Sequence, residues 1–499
     1  MIEFIGIEIS QQDVLIGLST GLVYAAIAAG FVLIYRSSGI LNFAHAELGA
    51  FCAAIFVVLN VLYGIPWWFA FALTLAAGAA IAAVIEMIFI RRLFESPRLV
   101  LLIATIGISQ LLVAFKINLP QVVASGGIPL PFDFSVKRPT ADLRILPRDV
   151  LVFVVVPLII IALTVFLTKT RFGMAVRASA SNADSARTFG ISVRRTSTIV
   201  WAISGVLAAT TGVLYAILQN INAARAGTES LAPPLLLRVL VVALIARMRS
   251  LPLTLAAGLG VGLAEQIVRG NVASTNRSIV DMYLFVAVLI AVIFVSRRRR
   301  DRETWSLSPR IKAIPSQLQH IWVVRHLPHI GFLLIFGILA LVPVVGEANS
   351  TMFLWTRVVA FAICALSLTM LTGWGGQLSL AQFAFVGLGG LTLAAVTAGH
   401  DIPLPFDVAD WSVNLPWGVG LLIGTAAGVL VALAIGLPAL RVRGLFLAVA
   451  TLGFAVAASN WVSFKTSSRA EAQLCEQSKS LLCGELTWER LASLTTISA

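Results

Sequence analysis

Apolar runs of about twenty residues, separated by short polar turns, recur along most of the chain. Each is long enough to cross a hydrocarbon layer roughly 30 Å thick as a helix. Read for apolar length, spans fall at 14–35, 40–62, 66–90, 99–119, 148–168, 197–218, 232–247, 251–268 and 279–296. After a polar, basic stretch they resume at 328–345, 353–372, 377–399, 416–437 and 445–464. Two of these do not open as simple spans. Segment 40–62 begins Asn42-Phe43-Ala44-His45-Ala46-Glu47, and 377–399 begins Gln377-Leu378-Ser379-Leu380-Ala381-Gln382. Polar and small residues there predict broken or re-entrant helices that face protein or water rather than lipid.

Composition agrees. Of 499 residues, 59% are hydrophobic and 12% charged, against roughly 25% charged in soluble chains. The polar surface is too small to cover one soluble core, so the expected class is an all-α polytopic membrane protein. The net charge of +13 does not point to nucleic acid. The basic residues sit in short loops between apolar spans, where they orient a membrane protein, and Trp305 and Trp322 are too sparse to interleave a nucleic-acid surface. Cys52 and Cys364 lie in apolar segments and read as packing residues. The opening MIEFIGIEIS has Glu3, Glu8 and no Lys or Arg, unlike a cleavable signal peptide.

If every span crosses, Arg36, Arg91, Arg92 and Arg98, the loop 169–195, Arg247 and Arg249, and Arg297 to Arg300 fall on one side. That side is expected to be cytoplasmic, with the N-terminus external. Loop 120–147, with Lys137, Arg138 and Arg144, dissents weakly. In the second half Arg441 and Arg443 face in, while Asp401, Asp407 and Asp410 face out. The tail is then external, where Cys475 and Cys483 are a candidate disulfide, with free thiols as the alternative.

An internal repeat is the most informative feature. Gly39-Ile40-Leu41-Asn42-Phe43-Ala44-His45 aligns with Gly376-Gln377-Leu378-Ser379-Leu380-Ala381-Gln382 at an offset of 337. Leu102-Ile103-Ala104-Thr105-Ile106-Gly107 aligns with Ala448-Val449-Ala450-Thr451-Leu452-Gly453 at an offset of 346. This predicts two related multi-helix halves: 1–296, then a basic cytoplasmic linker 297–327, a partial second half 328–464 and a polar tail 465–499. The linker reads as an anchor at an anionic leaflet.

The loop 169–195 carries six basic residues against Asp184. Ser181 or Asn182 can cap a short helix there, Asp184 falls in its first turn, and Gly190 is placed to end it in the left-handed conformation. A capped helix of about two turns in a basic loop suits docking into a groove on another protein.

On these residues the chain resembles the permeases of bacterial ABC importers. Asn182-Ala183-Asp184-Ser185-Ala186-Arg187, with Gly190 three residues on, is similar to their coupling-loop signature Glu-Ala-Ala-x-x-x-Gly, with Asp184 at the Glu position and Ser185 at the first Ala. Segment 17–50 resembles one permease subunit of branched-chain amino-acid importers, and 366–390 and 439–453 resemble the other. The resemblance implies fused permease halves, separate cytoplasmic ABC ATPase subunits that use the ATP, and a periplasmic solute-binding protein, all at a bacterial inner membrane. No Gly-Lys pair for a phosphate-binding loop occurs, nor an HExxH motif. The expectation is therefore no enzyme activity, metal or bound cofactor. Membrane lipid is an expected partner and nucleic acid is not. Urea and amide importers share the motifs, so they stay open as alternatives. An ATP-independent secondary transporter or channel for a small polar solute is the other alternative.

Polar residues at membrane depth are the candidate path: Asn42, His45, Glu47, Ser379 and Gln382 first, then Glu86, Gln110, Glu265 and Gln266. Asn42/His45 and Ser379/Gln382 recur in both halves, whereas Glu86 and Glu265 lie near span ends and read as reaching an interface. Transferring the Gly39-to-Asp184 spacing onto Gly376 puts a second coupling helix at about residue 521, beyond Ala499. One ATPase docking site per chain is the resulting expectation, with a second permease chain as a candidate partner.

Overall fold

A computed structural model describes residues 2–4, 7–94, 96, 98–120, 127–132, 144–221, 232–248, 250–271, 280–287, 290, 322, 326, 329–333, 336–337, 349–373, 375, 379–398, 415–439, 447–448 and 450–459. The linker apart from Trp322 and His326, the tail with Cys475 and Cys483, and Arg441 and Arg443 lie outside the described residues. Contacts divide the chain into two compact units, Met1–Arg299 with His400–Ser412 and Val456–Ala499, and Arg300–Gly399 with Val413–Ala455.

The fold is the expected helical membrane bundle, preceded in the first unit by a small antiparallel hairpin of β1 (Ile2–Phe4) and β2 (Ile7–Ile9). Helices follow: α1 (Gln11–Ser38), α2 (Ala44–Val57), α3 (Trp67–Ile85), α4 (Arg98–Ile117) and α5 (Pro147–Lys169). Then come α6 (Arg171–Ser181), α7 (Ala183–Thr188), α8 (Val193–Leu218), α9 (Ala232–Ile245) and α10 (Leu251–Asn271). Both α2 and α3 run on into π-helical turns, Val58–Leu62 and Glu86–Ile90. The second unit holds α11 (Asn349–Gly373), α12 (Gln382–Ala398) and α13 (Trp417–Ala439). Among the described residues, nine helices are long and apolar enough to cross a membrane. The chain is a multi-pass membrane protein.

Small residues decide how tightly the first unit packs. In lipid, helix association rests on close van der Waals contact, which glycine permits by letting backbones approach. Gly17 and Gly21 of α1 meet Gly258 and Gly262 of α10 at four-residue spacing on both helices, so a Cβ at Gly21 would lie 2.5 Å from the Gly258 carbonyl. Gly49 of α2 faces Gly212 of α8, and Gly78 of α3 faces Gly205 of the same helix. Helix α8 is thus the hub of the unit, packed on α1, α2 and α3.

Candidate functional site

Between α1 and α2 the helix is broken as the polar opening predicts. Gly39 ends α1 in the left-handed region at φ 70°, and residues 40–43 carry buried backbone without helix. Buried backbone must find partners, and side chains supply them. The Phe43 N–H donates to Thr105 Oγ1 at 3.3 Å, the Ala44 N–H to Asn42 Oδ1 at 3.1 Å, and the Thr105 hydroxyl to the Leu102 carbonyl at 2.8 Å.

The second unit repeats this corner. The Leu380 N–H donates to Thr451 Oγ1 at 3.0 Å, the Ala381 N–H to Ser379 Oγ at 3.3 Å, and the Thr451 hydroxyl to the Ala448 carbonyl at 3.0 Å. All three bonds connect positions related by the offsets of 337 and 346.

The other candidate polar residues take up different roles. His45 is buried, with Nδ1 3.2 Å from the Ser204 hydroxyl of α8 and its ring against Gly30. Beside it lies a small cavity lined by Ile27, Thr211, Tyr215 and Leu235, with room for about one water molecule. Glu47 is fully enclosed and pairs with Lys116 of α4 at 2.6 Å. Gln382 is half-buried and accepts a hydrogen bond from Ser367 at 3.4 Å. Gln110 is exposed on α4, and Gln266 donates to Asp13.

Glu86 and Glu265 do not reach an interface; both are buried. Glu86 bonds Arg91 and Thr198, while Glu265 pairs with Arg269 and with Arg238 at 2.8 Å, and Arg238 also holds Asp281 at 2.9 Å. The buried Arg238 beside Glu265 and the half-buried Arg91 beside Glu86 hold each carboxylate inside the bundle. Lys116, Arg238 and Asp281 were legible by the rule that singled out Glu47, since each is a charge inside or beside an apolar span.

Loop 169–195 is more helical than expected. Thr170 caps α6 by accepting from the Gly173 N–H, and only Asn182 separates α6 from α7. Asn182 Oδ1 accepts from the Asp184 and Ser185 N–H groups at 3.0 Å, and Arg187 pairs with Asp184 on the exposed face. Gly190 closes the helix at φ 78°. Its N–H bonds the Arg187 carbonyl and the Ile191 N–H bonds that of Ala186, the paired bonds of a Schellman cap. Ala186 is buried, whereas Phe189 at the cap is 83% exposed. Phe189 leaves no signal in the sequence, because one aromatic in a loop gives no pattern.

Residues 14–295 match the family described as "Branched-chain amino acid transport system / permease component". The chain is 26% identical over 298 residues to the high-affinity branched-chain amino acid transport system permease protein LivH of Escherichia coli (strain K12), covering 56% of this chain and 93% of that one. To BraD of Pseudomonas aeruginosa, a permease protein of the same description, it is 28% identical over 290 residues, covering 56% and 92%. To a probable branched-chain amino acid transport permease protein of Methanocaldococcus jannaschii it is 27% identical over 282 residues, covering 54% and 85%. No solved structure matches. With a match over more than half its length, resting on the unit that holds the broken helix and the capped loop, the chain belongs to the family of branched-chain amino-acid transport permeases.

Proposed function

We propose that this chain forms the membrane path and the mechanical link of an importer for branched-chain amino acids. Separate cytoplasmic ATPase subunits power it, and an external solute-binding protein loads it. The observation that carries the reading is α7: a helix capped at both ends, in a basic loop, with Phe189 bare beside its cap. An exposed aromatic at a rigid helix end is the kind of residue that anchors an interface when a groove receives it. In this reading Asn182, Ala183, Asp184, Ser185, Ala186, Arg187 and Gly190 shape the coupling element, and Phe189 is its anchor.

A stroke delivered to α7 has a short route inward. Four residues separate α7 from α8, and Ser204 of α8 touches His45 at the start of the broken helix. Moving α8 thus shifts the region of Asn42, His45 and Glu47, which we assign to the path of the first half; Ser379 and Gln382 are its counterparts in a related second half. The chain performs no covalent chemistry in this scheme, and ATP acts only in the partner subunits.

The test is purification from membranes with co-expressed ATPase subunits. Gly190→Val should strain the left-handed cap, and Phe189→Ala should weaken ATPase docking about tenfold, the effect of losing an interface anchor. Both variants should still insert normally. If no ATPase ever accompanies the wild-type chain, and leucine transport survives ATP depletion, the reading is wrong.

A further inference from the structure

The cytoplasmic ends of α3 and α8 are joined by three side chains that neither the path nor the docking helix uses. The Arg91 guanidinium donates to Glu86 Oε2 at 2.9 Å and to Thr198 Oγ1 at 2.6 Å. The Thr198 hydroxyl donates to Glu86 Oε2 at 2.8 Å. Glu86 is only 2% exposed.

Local structure makes this triangle possible. In an α-helix, a residue five positions on lies about 140° around the axis, too far for Arg91 to fold back onto Glu86 easily. Here α3 ends in a π-helical turn, with the Arg91 N–H bonded to the Glu86 carbonyl at 2.8 Å. The wider turn brings residues 86 and 91 toward one side of the helix. Such insertions recur at functional sites.

From this geometry we infer that Glu86, Arg91 and Thr198 form a latch that makes α3 travel with α8 when the docking helix is pushed. Thr198 lies in the second turn of α8, the helix that leaves the docking loop. Two turns deeper, Gly205 meets Gly78 of α3 so closely that neither admits a Cβ. Seven residues, about 10 Å of helix, separate this fixed contact from the latch. Without the latch, α8 would pivot on the Gly78–Gly205 contact and its first turns would slide past α3. With it, both helices carry the displacement toward α2, which packs on each of them.

The Thr198 hydroxyl also has a second acceptor, the Arg194 carbonyl of its own helix at 3.1 Å. One proton cannot serve both acceptors fully. The bond to Glu86 ties the helices twice over; with the proton turned to Arg194, only the Arg91 donation to Thr198 Oγ1 still joins them. The three residues are therefore positioning residues for coupling, and the inference rests on the ATPase-driven reading above.

The experiment compares wild type, Thr198→Val and Thr198→Ser as full-length chains assembled with their ATPase subunits in liposomes. Labelled leucine and the binding protein are supplied, and leucine moved per ATP hydrolysed is measured. Valine keeps the shape and removes the hydroxyl. Thr198→Val should retain ATPase docking and hydrolysis while leucine per ATP falls about tenfold, and Thr198→Ser should restore the ratio. Glu86→Gln, assembled in the same way, should lower the ratio in the same direction. An unchanged ratio in assembled Thr198→Val and Glu86→Gln complexes overturns the latch but leaves the ATPase-driven reading standing. A wild-type chain that never recruits ATPase overturns both.

Discussion

The same hydrogen-bonded corner sits in two different surroundings. At Thr105 it is sealed: Phe43 is 1% exposed, and α2, which starts there, is covered by α8 and α4. At Thr451 the same three bonds form, yet Phe383, in the first turn of α12, is 60% exposed. The contrast extends to whole helices. In α1 and α8, 72% of the apolar window is buried, against 0% for Leu354–Gly373 and 17% for Trp417–Leu437. The corner therefore depends on local chemistry, a hydroxyl or amide at the break and a threonine across from it. Burial depends on which neighbours arrive afterwards. Residues that differ between the two corners follow the neighbours: Glu47 corresponds to Ala384 and Gly49 to Val386 at the offset of 337.

The sharpest test of that division is the buried ion pair, which belongs to the surroundings and not to the corner. Lys116→Met removes the cation from a carboxylate whose side chain is wholly enclosed. Breaking a buried pair from one side costs about 3–5 kcal/mol. Little folded chain should survive detergent extraction, as read by size-exclusion profile and thermal melting. Combining Lys116→Met with Glu47→Gln should recover most of the loss. Ala384→Ser, at the matching place in the second unit, should melt with the wild type. A Lys116→Met chain as stable as wild type would show that the pair contributes nothing to holding α2 on α4.

Glycine at position 49 tests packing in the same comparison. A Cβ there would sit 2.8 Å from the Ala208 carbonyl of α8, and overpacking of this kind costs about 1–3 kcal/mol. Gly49→Val should lower the melting temperature accordingly. The reciprocal change, Val386→Gly, acts at a position that is 52% exposed and should cost only the helix-propensity penalty of about 1 kcal/mol or less. Equal losses at both sites would mean that α12 is held as tightly as α2.

How much of this was legible in the sequence follows the same line. The spans, the helix breaks at 40–43 and before Gln382, the Asn182 and Gly190 caps, and the aligned motifs around Thr105 and Thr451 are all encoded within a few residues. Arg91 and Arg269 are local partners of Glu86 and Glu265, but Lys116, Thr198 and Arg238, which hold Glu47, Glu86 and Glu265 against other helices, come from 69, 112 and 27 residues away. No local pattern names such a partner. A carboxylate near a span end looks the same whether it meets water or an arginine, so position alone points Glu86 and Glu265 toward an interface. The π-helical turn at 86–90 leaves no composition signal either, since Glu-Met-Ile-Phe-Ile suits an ordinary α-helix.

The smallest expected effect bears most directly on the repeat. Thr105→Val and Thr451→Val each remove one hydroxyl and leave one backbone N–H, of Phe43 or Leu380, without its acceptor. Because Phe43 is sealed and Leu380 is half-buried, the first should cost about 1–1.5 kcal/mol, the low end for an orphaned buried donor, and the second closer to about 0.5 kcal/mol, because water can replace the lost acceptor. Amide exchange gives a readout that global stability does not. The Phe43 amide should exchange faster only in Thr105→Val, and the Leu380 amide only in Thr451→Val. If the two variants instead loosen both corners together, the corners are not independent copies of one local structure. If neither amide responds, the bonds to threonine do not hold the breaks, and the neighbours that seal α2 must also fix its start.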